Sequence, residues 1–136
     1  MRYPRRRLVL LGAALALTGC AQEQARYCST VGCIGAVSVD LDGAVADRIT
    51  EPTSIRACLA SACATSVVLP GERVDLTLTG TAFEIDTLDL TVVATTGGST
   101  VFEATIPVTG ERINGAGCSP VCFQTGVVVT EADLTA

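Results

Sequence analysis

The chain has 136 residues, a formal net charge of −5, 49% hydrophobic and 4% aromatic residues, and neither histidine nor tryptophan. That length suits one domain with one core, and the acidic balance argues against nucleic acid as a partner. Histidine is the usual general base and the commonest nitrogen ligand for metals, and lysine is absent too, so an enzyme is not expected.

The N-terminus carries Arg2, Arg5, Arg6 and Arg7, an apolar run from Leu8 to Leu17, and then Thr18, Gly19 and Cys20. A charged start and a short apolar stretch make an export signal, and the run is too short for a spanning helix, which needs ~20 residues. Leu17-Thr18-Gly19-Cys20 resembles the lipobox of bacterial lipoproteins. The resemblance implies that the signal is cut before Cys20, that its thiol is diacylated, and that the mature protein is lipid-anchored at the extracytoplasmic face of the cell membrane. The expected division is a signal peptide over residues 1–19, the lipidated Cys20 with a short polar tether to residue 27, and a domain over residues 28–136. Arg5-Arg6-Arg7-Leu8-Val9 partly resembles a twin-arginine signal, but Pro4 stands where Ser or Thr is usual, which leaves the export route open.

Cleavage there leaves fourteen acidic residues and five arginines (Arg26, Arg48, Arg56, Arg73 and Arg112), a formal charge of 5 − 14 = −9. Such a surface disfavours anionic lipid headgroups and helps keep an anchored domain off the bilayer. Cleavage and acylation also take Cys20 from the cysteine count and leave six: Cys28, Cys33, Cys58, Cys63, Cys118 and Cys122. An even number in a small exported domain reads as a disulfide framework. Cys58 and Cys63 lie between segments that read as strands, Ser54–Ala57 and Ala64–Leu69, so a four-residue hairpin loop brings them within bridging distance. For Cys28, Cys33, Cys118 and Cys122 the pairing is open: each cluster bridges itself, or two bonds join the chain ends. Long loops gain more from closure, which favours the second arrangement. A four-cysteine zinc site is the rival reading, with Cys118 and Cys122 in the usual ligand spacing and Cys28 and Cys33 at its edge. Bridging is the default outside the membrane. Neither spacing is that of a thiol oxidoreductase.

From Val37 onward the apolar residues alternate with polar ones, the signature of half-buried strands. The alternating sets are Val37–Leu41, Ile55–Leu59, Thr65–Leu69, Val74–Leu78, Leu88–Ala94, Phe102–Val108 and Phe123–Val129. Turn chemistry separates them at Asp42-Gly43, Pro70-Gly71, Gly80, Gly97-Gly98, Gly110 and Asn114-Gly115. Thr95-Thr96-Gly97-Gly98-Ser99 is the clearest hairpin, and Leu41–Ile49 has room for one irregular helical turn. The expected fold is all-β: a single immunoglobulin-like antiparallel β-sandwich of seven or eight strands, braced by disulfides.

The acyl-cysteine signal, the Thr/Val-rich β-domain, the Cys58–Cys63 hairpin and the late segment Gly117-Cys118-Ser119-Pro120-Val121-Cys122-Phe123 together resemble small actinobacterial surface lipoproteins of unknown function. That resemblance implies no catalytic residues.

Three groups of side chains invite a chemical reading. Asp40, Asp42 and Asp47 around Gly43 supply hard oxygen ligands of the kind calcium takes, but Ala44 and Glu51 only partly fit a calcium loop. The plainer reading is a strand end running into an Asp-Gly turn. Glu84, Asp86 and Asp89 alternate with Ile85, Leu88 and Leu90 as on the solvent face of a strand, although paired carboxylates serve glycoside hydrolysis when suitably spaced. No serine or threonine has a histidine to activate it. The arginines each have an acidic neighbour in sequence and are expected in solvated pairs. The functional expectation is a membrane-anchored lipoprotein with a non-catalytic binding or structural role, no cofactor, and an envelope protein as possible partner. The alternative is a calcium-dependent adhesion or ligand-binding module using Asp40, Asp42 and Asp47.

Overall fold

The computed structural model describes residues 32–135. Cys20, Cys28, the expected signal peptide and the tether lie outside the described residues. Among the described residues nine strands run in chain order: β1 (Ala36–Leu41), β2 (Thr53–Leu59), β3 (Ala62–Val68), β4 (Leu76–Thr79), β5 (Ala82–Phe83), β6 (Thr87–Thr96), β7 (Ser99–Thr109), β8 (Val121–Cys122) and β9 (Gln124–Val129). A single helical turn, α1 (Gly43–Ala46), follows β1, and a 3-10 turn covers Glu131–Asp133. Seven strands have four residues or more; β5 and β8 have two each and form a small sheet of their own.

The longer strands make two sheets, ordered β4-β1-β9 and β3-β2-β6-β7. Each turns its apolar positions inward to one buried cluster. Val37 and Val39 of β1, Leu76 and Leu78 of β4 and Val129 of β9 come from the smaller sheet. Ile55, Ala57 and Leu59 of β2, Leu90, Val92 and Ala94 of β6 and Phe102, Ala104 and Val108 of β7 come from the larger. The period of two explains this directly: slipping any strand by one residue would expose its whole apolar set. On β3 the choice between faces falls on Val68, which is buried, while Val67 points outward.

One expectation needs correction. The sandwich-like fold is not antiparallel throughout, because β1 pairs with β9 in parallel from Ala36↔Gln124 to Leu41↔Val129. The first and last long strands thus lie side by side. The strand order also differs from that of antibody domains, where the sheets run A-B-E-D and C-F-G. Here two hairpins, β2-β3 and β6-β7, stand next to each other in the larger sheet.

The turns follow residue chemistry. Gly97 and Gly98 both have positive φ (56° and 81°), which a two-residue hairpin turn requires and glycine supplies without steric cost. Val101 is the extra residue of a bulge, since Ala94 pairs with Phe102 and Thr95 with Thr100. The β2-β3 hairpin is tighter than expected. Pairing continues to Leu59↔Ala62, leaving a two-residue turn in which Ala60 takes φ 49°. Cys58 and Cys63 are direct cross-strand partners, bonded with Cα atoms 4.1 Å apart.

A second disulfide, Cys33–Cys122, joins residues separated by 89 positions with Cα atoms 5.9 Å apart. Cys118 is disulfide-bonded as well, and its partner lies outside the described residues. In the chain-entropy account a long closed loop restricts the unfolded chain more than a short one. Replacing Cys33 and Cys122 together by serine is therefore expected to cost about 4–5 kcal/mol, against about 2 kcal/mol for Cys58 and Cys63. Denaturant titration of the two double variants measures that difference.

Candidate functional site

The two ends of the β4-β1-β9 sheet are built differently. At one end, Leu41 leads through Asp42 into α1, and β9 leads through Thr130 into the 3-10 turn. Asp42 is the N-cap of α1: its Oδ1 accepts the Val45 N–H at 2.8 Å, and its own N–H donates to the Val129 carbonyl at 2.9 Å. A buried Val45 then seats the turn on the core. An N-capping aspartate before one helical turn satisfies donors that would otherwise be orphaned.

Beside α1 an open hollow of ≈ 330 Å³ lies between the β1–α1 segment and the Gly71–Val74 turn. Leu41, Ile49 and Val74 contribute its apolar side chains, and Asp40, Asp47, Glu72 and Arg73 its charged ones. The structure therefore brings two of the three sequence candidates, Asp40 and Asp47, to one hollow and leaves Asp42 out of its lining. Asp40 accepts the Leu41 N–H at 2.9 Å and lies 4.0 Å from the exposed Arg73. Among the described residues, no three His, Cys, Asp or Glu side chains converge to hold a metal ion. Glu72 and Arg73 were not read from the sequence as part of this place. The Pro70-Gly71 turn that carries them was visible, but its position beside β1 depends on the β1–β4 pairing.

The same end is closed by an ion pair. Arg48 donates from Nε and Nη2 to the two carboxylate oxygens of Glu131 at 2.9 and 2.8 Å, across 83 residues of sequence. The Arg48 side-chain hydrogen bond holds the Glu131 carboxyl below its ordinary value, and the same contact raises Arg48. Asp133 is lowered mainly by the hydrogen bond from the Thr130 backbone N–H, at 2.8 Å, and then by the Thr130 hydroxyl. Beyond the turn, Leu134 bridges to Ala104 and the Thr135 N–H donates to the Glu103 carbonyl at 2.8 Å, so the C-terminal segment fastens onto the outer edge of β7.

At the other end, short loops crowd around the Cys33–Cys122 bond. Buried Thr81 donates its hydroxyl to the Phe123 carbonyl at 2.6 Å and accepts the Phe123 N–H on its own carbonyl at 2.9 Å. Gly35 lies so close to Thr81 that a Cβ there would collide with its backbone. Glu84 and Asp86 depart from the expected strand face: they sit in the bend between β5 and β6, and only Asp89 lies on the exposed face of β6. Arg112, expected in a solvated pair, ties loops together instead. It donates to Asp86 Oδ1 at 2.7 Å, to the Cys118 carbonyl at 3.1 Å and to the Glu84 carbonyl at 3.4 Å. Glu84 in turn accepts from the Ser119 hydroxyl, and Asn114 donates to the Ser119 carbonyl at 3.0 Å. These contacts use polar side chains to hold loops together.

No protein-family model matches the chain, and neither a curated protein nor a solved structure matches it.

Two measurements check this account of the α1 end. Asp42→Ala removes the cap and is expected to cost about 1 kcal/mol. The loss should be the same with and without millimolar calcium in thermal melts, because Asp42 lies outside the hollow that Asp40 and Asp47 line and its Oδ1 serves the cap. The Glu131 and Asp133 carboxyls bind protons less readily when folded, so their stabilisation is present above the ordinary values of 4.5 and 3.8 and is lost as pH falls through the lower folded values. Melting temperature should therefore drop between about pH 5 and pH 3, and less steeply in a Glu131→Gln/Asp133→Asn variant.

Proposed function

We propose that this protein is a lipid-anchored lipoprotein of the bacterial cell envelope, held through Cys20 at the extracytoplasmic face of the membrane and acting by binding or structural association without catalysis. The observation that carries the reading is the state of the cysteines. All five among the described residues are disulfide-bonded, which fits an exported domain. The chain has seven cysteines in all, an odd number, so intrachain pairing leaves one thiol over. Cys20, within Leu17-Thr18-Gly19-Cys20, is the one in the context of acylation.

The binding part rests on the layout of the sheets. The domain is taken as immunoglobulin-like in its two-layer arrangement, not in its strand order. Among the described residues no strand pairs with the outer edge of β9, and Gln124–Val129 contains no charge and no proline. Such an edge can receive an extended segment of an envelope protein by strand addition. The outer edge of β7 is less open to this, with Pro107, Glu103 and the Leu134–Thr135 cover.

Metabolic labelling with a fatty-acid analogue in cells tests the anchor. The wild-type protein should incorporate label and fractionate with membranes, while Cys20→Ala should lose both. Persistent labelling of the variant would sink the assignment. Crosslinking in the same cells should place captured partners on β9.

A further inference from the structure

Among the described residues Val67, Leu69 and Val128 are exposed on or beside β3 and β9, and three isoleucines stand out from the disulfide-tied end of the domain: Ile34 is 91% exposed, Ile85 59% and Ile113 42%. Their neighbours connect them to the same small assembly. Ile34 lies between Cys33, bonded to Cys122, and Gly35, whose carbonyl accepts the Thr81 N–H at 3.4 Å. Ile85 lies between Glu84 and Asp86, both held by Arg112, and Ile113 follows Arg112 directly. Glu111, just before it, bridges to Cys122. An isolated exposed isoleucine is ordinary on a soluble protein; several on one end mark a surface that meets something apolar.

The chain itself indicates what that is. Gly32, the first described residue, follows Cys20 by 32 − 20 = 12 positions. The chain leading to Cys20 leaves the described domain at the end bearing the isoleucines, and twelve residues span at most ~42 Å when extended. Two of the nearby carboxylates are held by neighbours, Asp86 by Arg112 and Glu84 by the Ser119 hydroxyl, while Glu111, two residues before Ile113, is exposed. The acidity of the domain as a whole disfavours attraction to anionic headgroups, so contact at this end depends on apolar burial.

We propose that this end rests on the bilayer, with Ile34, Ile85 and Ile113 entering the interfacial zone of a neutral glycerolipid surface. The proposal depends on the lipid-anchor reading above. The anchor supplies a high local concentration of surface, and the isoleucines supply a second, weaker signal that fixes orientation. The hollow beside α1, at the far end of β1, then faces away from the membrane.

The absence of tryptophan gives a clean probe. Ile85→Trp and, as a control on exposed α1, Ala44→Trp each place a single tryptophan in the full acylated protein, which is reconstituted into phosphatidylcholine vesicles with or without brominated acyl chains. The residue-85 probe should lose about half its emission on brominated lipid, as expected for a contact ~5–10 Å into the interface, and the residue-44 probe should lose almost none. Adding Ile34→Ser and Ile113→Ser to Ile85→Trp should at least halve that quenching. These positions are exposed, and an unchanged melting temperature confirms the fold. Protein that floats with the vesicles but shows equal quenching at residues 44 and 85, none at 85, or quenching indifferent to the serine changes overturns the docking proposal alone. Protein that fails to float overturns the anchor reading and the docking proposal with it.

Discussion

The bond between Cys33 and Cys122 fixes the two ends of the described chain to each other, and much of the remaining architecture depends on that closure. Pairing a first strand with a last one in parallel requires a long loop to close before any ladder bond forms, which is entropically costly. The disulfide lowers that cost by confining the unfolded chain. Once Cys33 is held at Cys122, β1 and β9 leave the same place in the same direction, and the parallel register from Ala36↔Gln124 to Leu41↔Val129 follows. Thr81 then fits between Gly35 and Phe123, with its hydroxyl and carbonyl both satisfied by Phe123. Phe123 is wholly buried and meets Phe83 edge-on at 5.9 Å, so the disulfide end adds an aromatic pair to the common core.

Several acidic residues are committed to structure. Asp42 caps α1, Asp133 caps the last turn, Glu131 holds Arg48, and Asp86 holds Arg112. A chain with no histidine and no lysine has few other bases, and these four carboxylates serve as loop ties and caps. The result is a domain whose two ends differ in character. One presents isoleucines beside a disulfide and continues toward Cys20. The other presents carboxylates around an open hollow, together with an Arg48–Glu131 pair that fastens the C-terminal segment.

Sequence reading recovered what local chemistry governs. Period-two alternation located the seven longer strands, because burial on one face leaves little freedom of register. The Gly97-Gly98 turn and the short helical segment after Leu41 were legible for the same reason: each is set by a few adjacent residues. Long-range relations were not legible. Nothing in Ala36–Leu41 announces that it pairs with Gln124–Val129, and a run such as Ser66-Val67-Val68 does not say which valine faces the core. Glu84, Ile85 and Asp86 continued an apparent alternation into what is a bend, since Arg112, distant in sequence, draws both carboxylate-bearing residues to itself. The hollow was half visible: Asp40 and Asp47 lie near each other in the chain, whereas Glu72 and Arg73 arrive only through the β1–β4 ladder.

Disulfide mapping of the protein isolated under non-reducing conditions, by digestion without reduction followed by mass spectrometry, tests the central claim about chain closure most directly. The account predicts one cross-linked pair of peptides containing Cys33 and Cys122, and Cys58 joined to Cys63 within its own hairpin. A bond between Cys118 and Cys122, or a free thiol at Cys33, would contradict it.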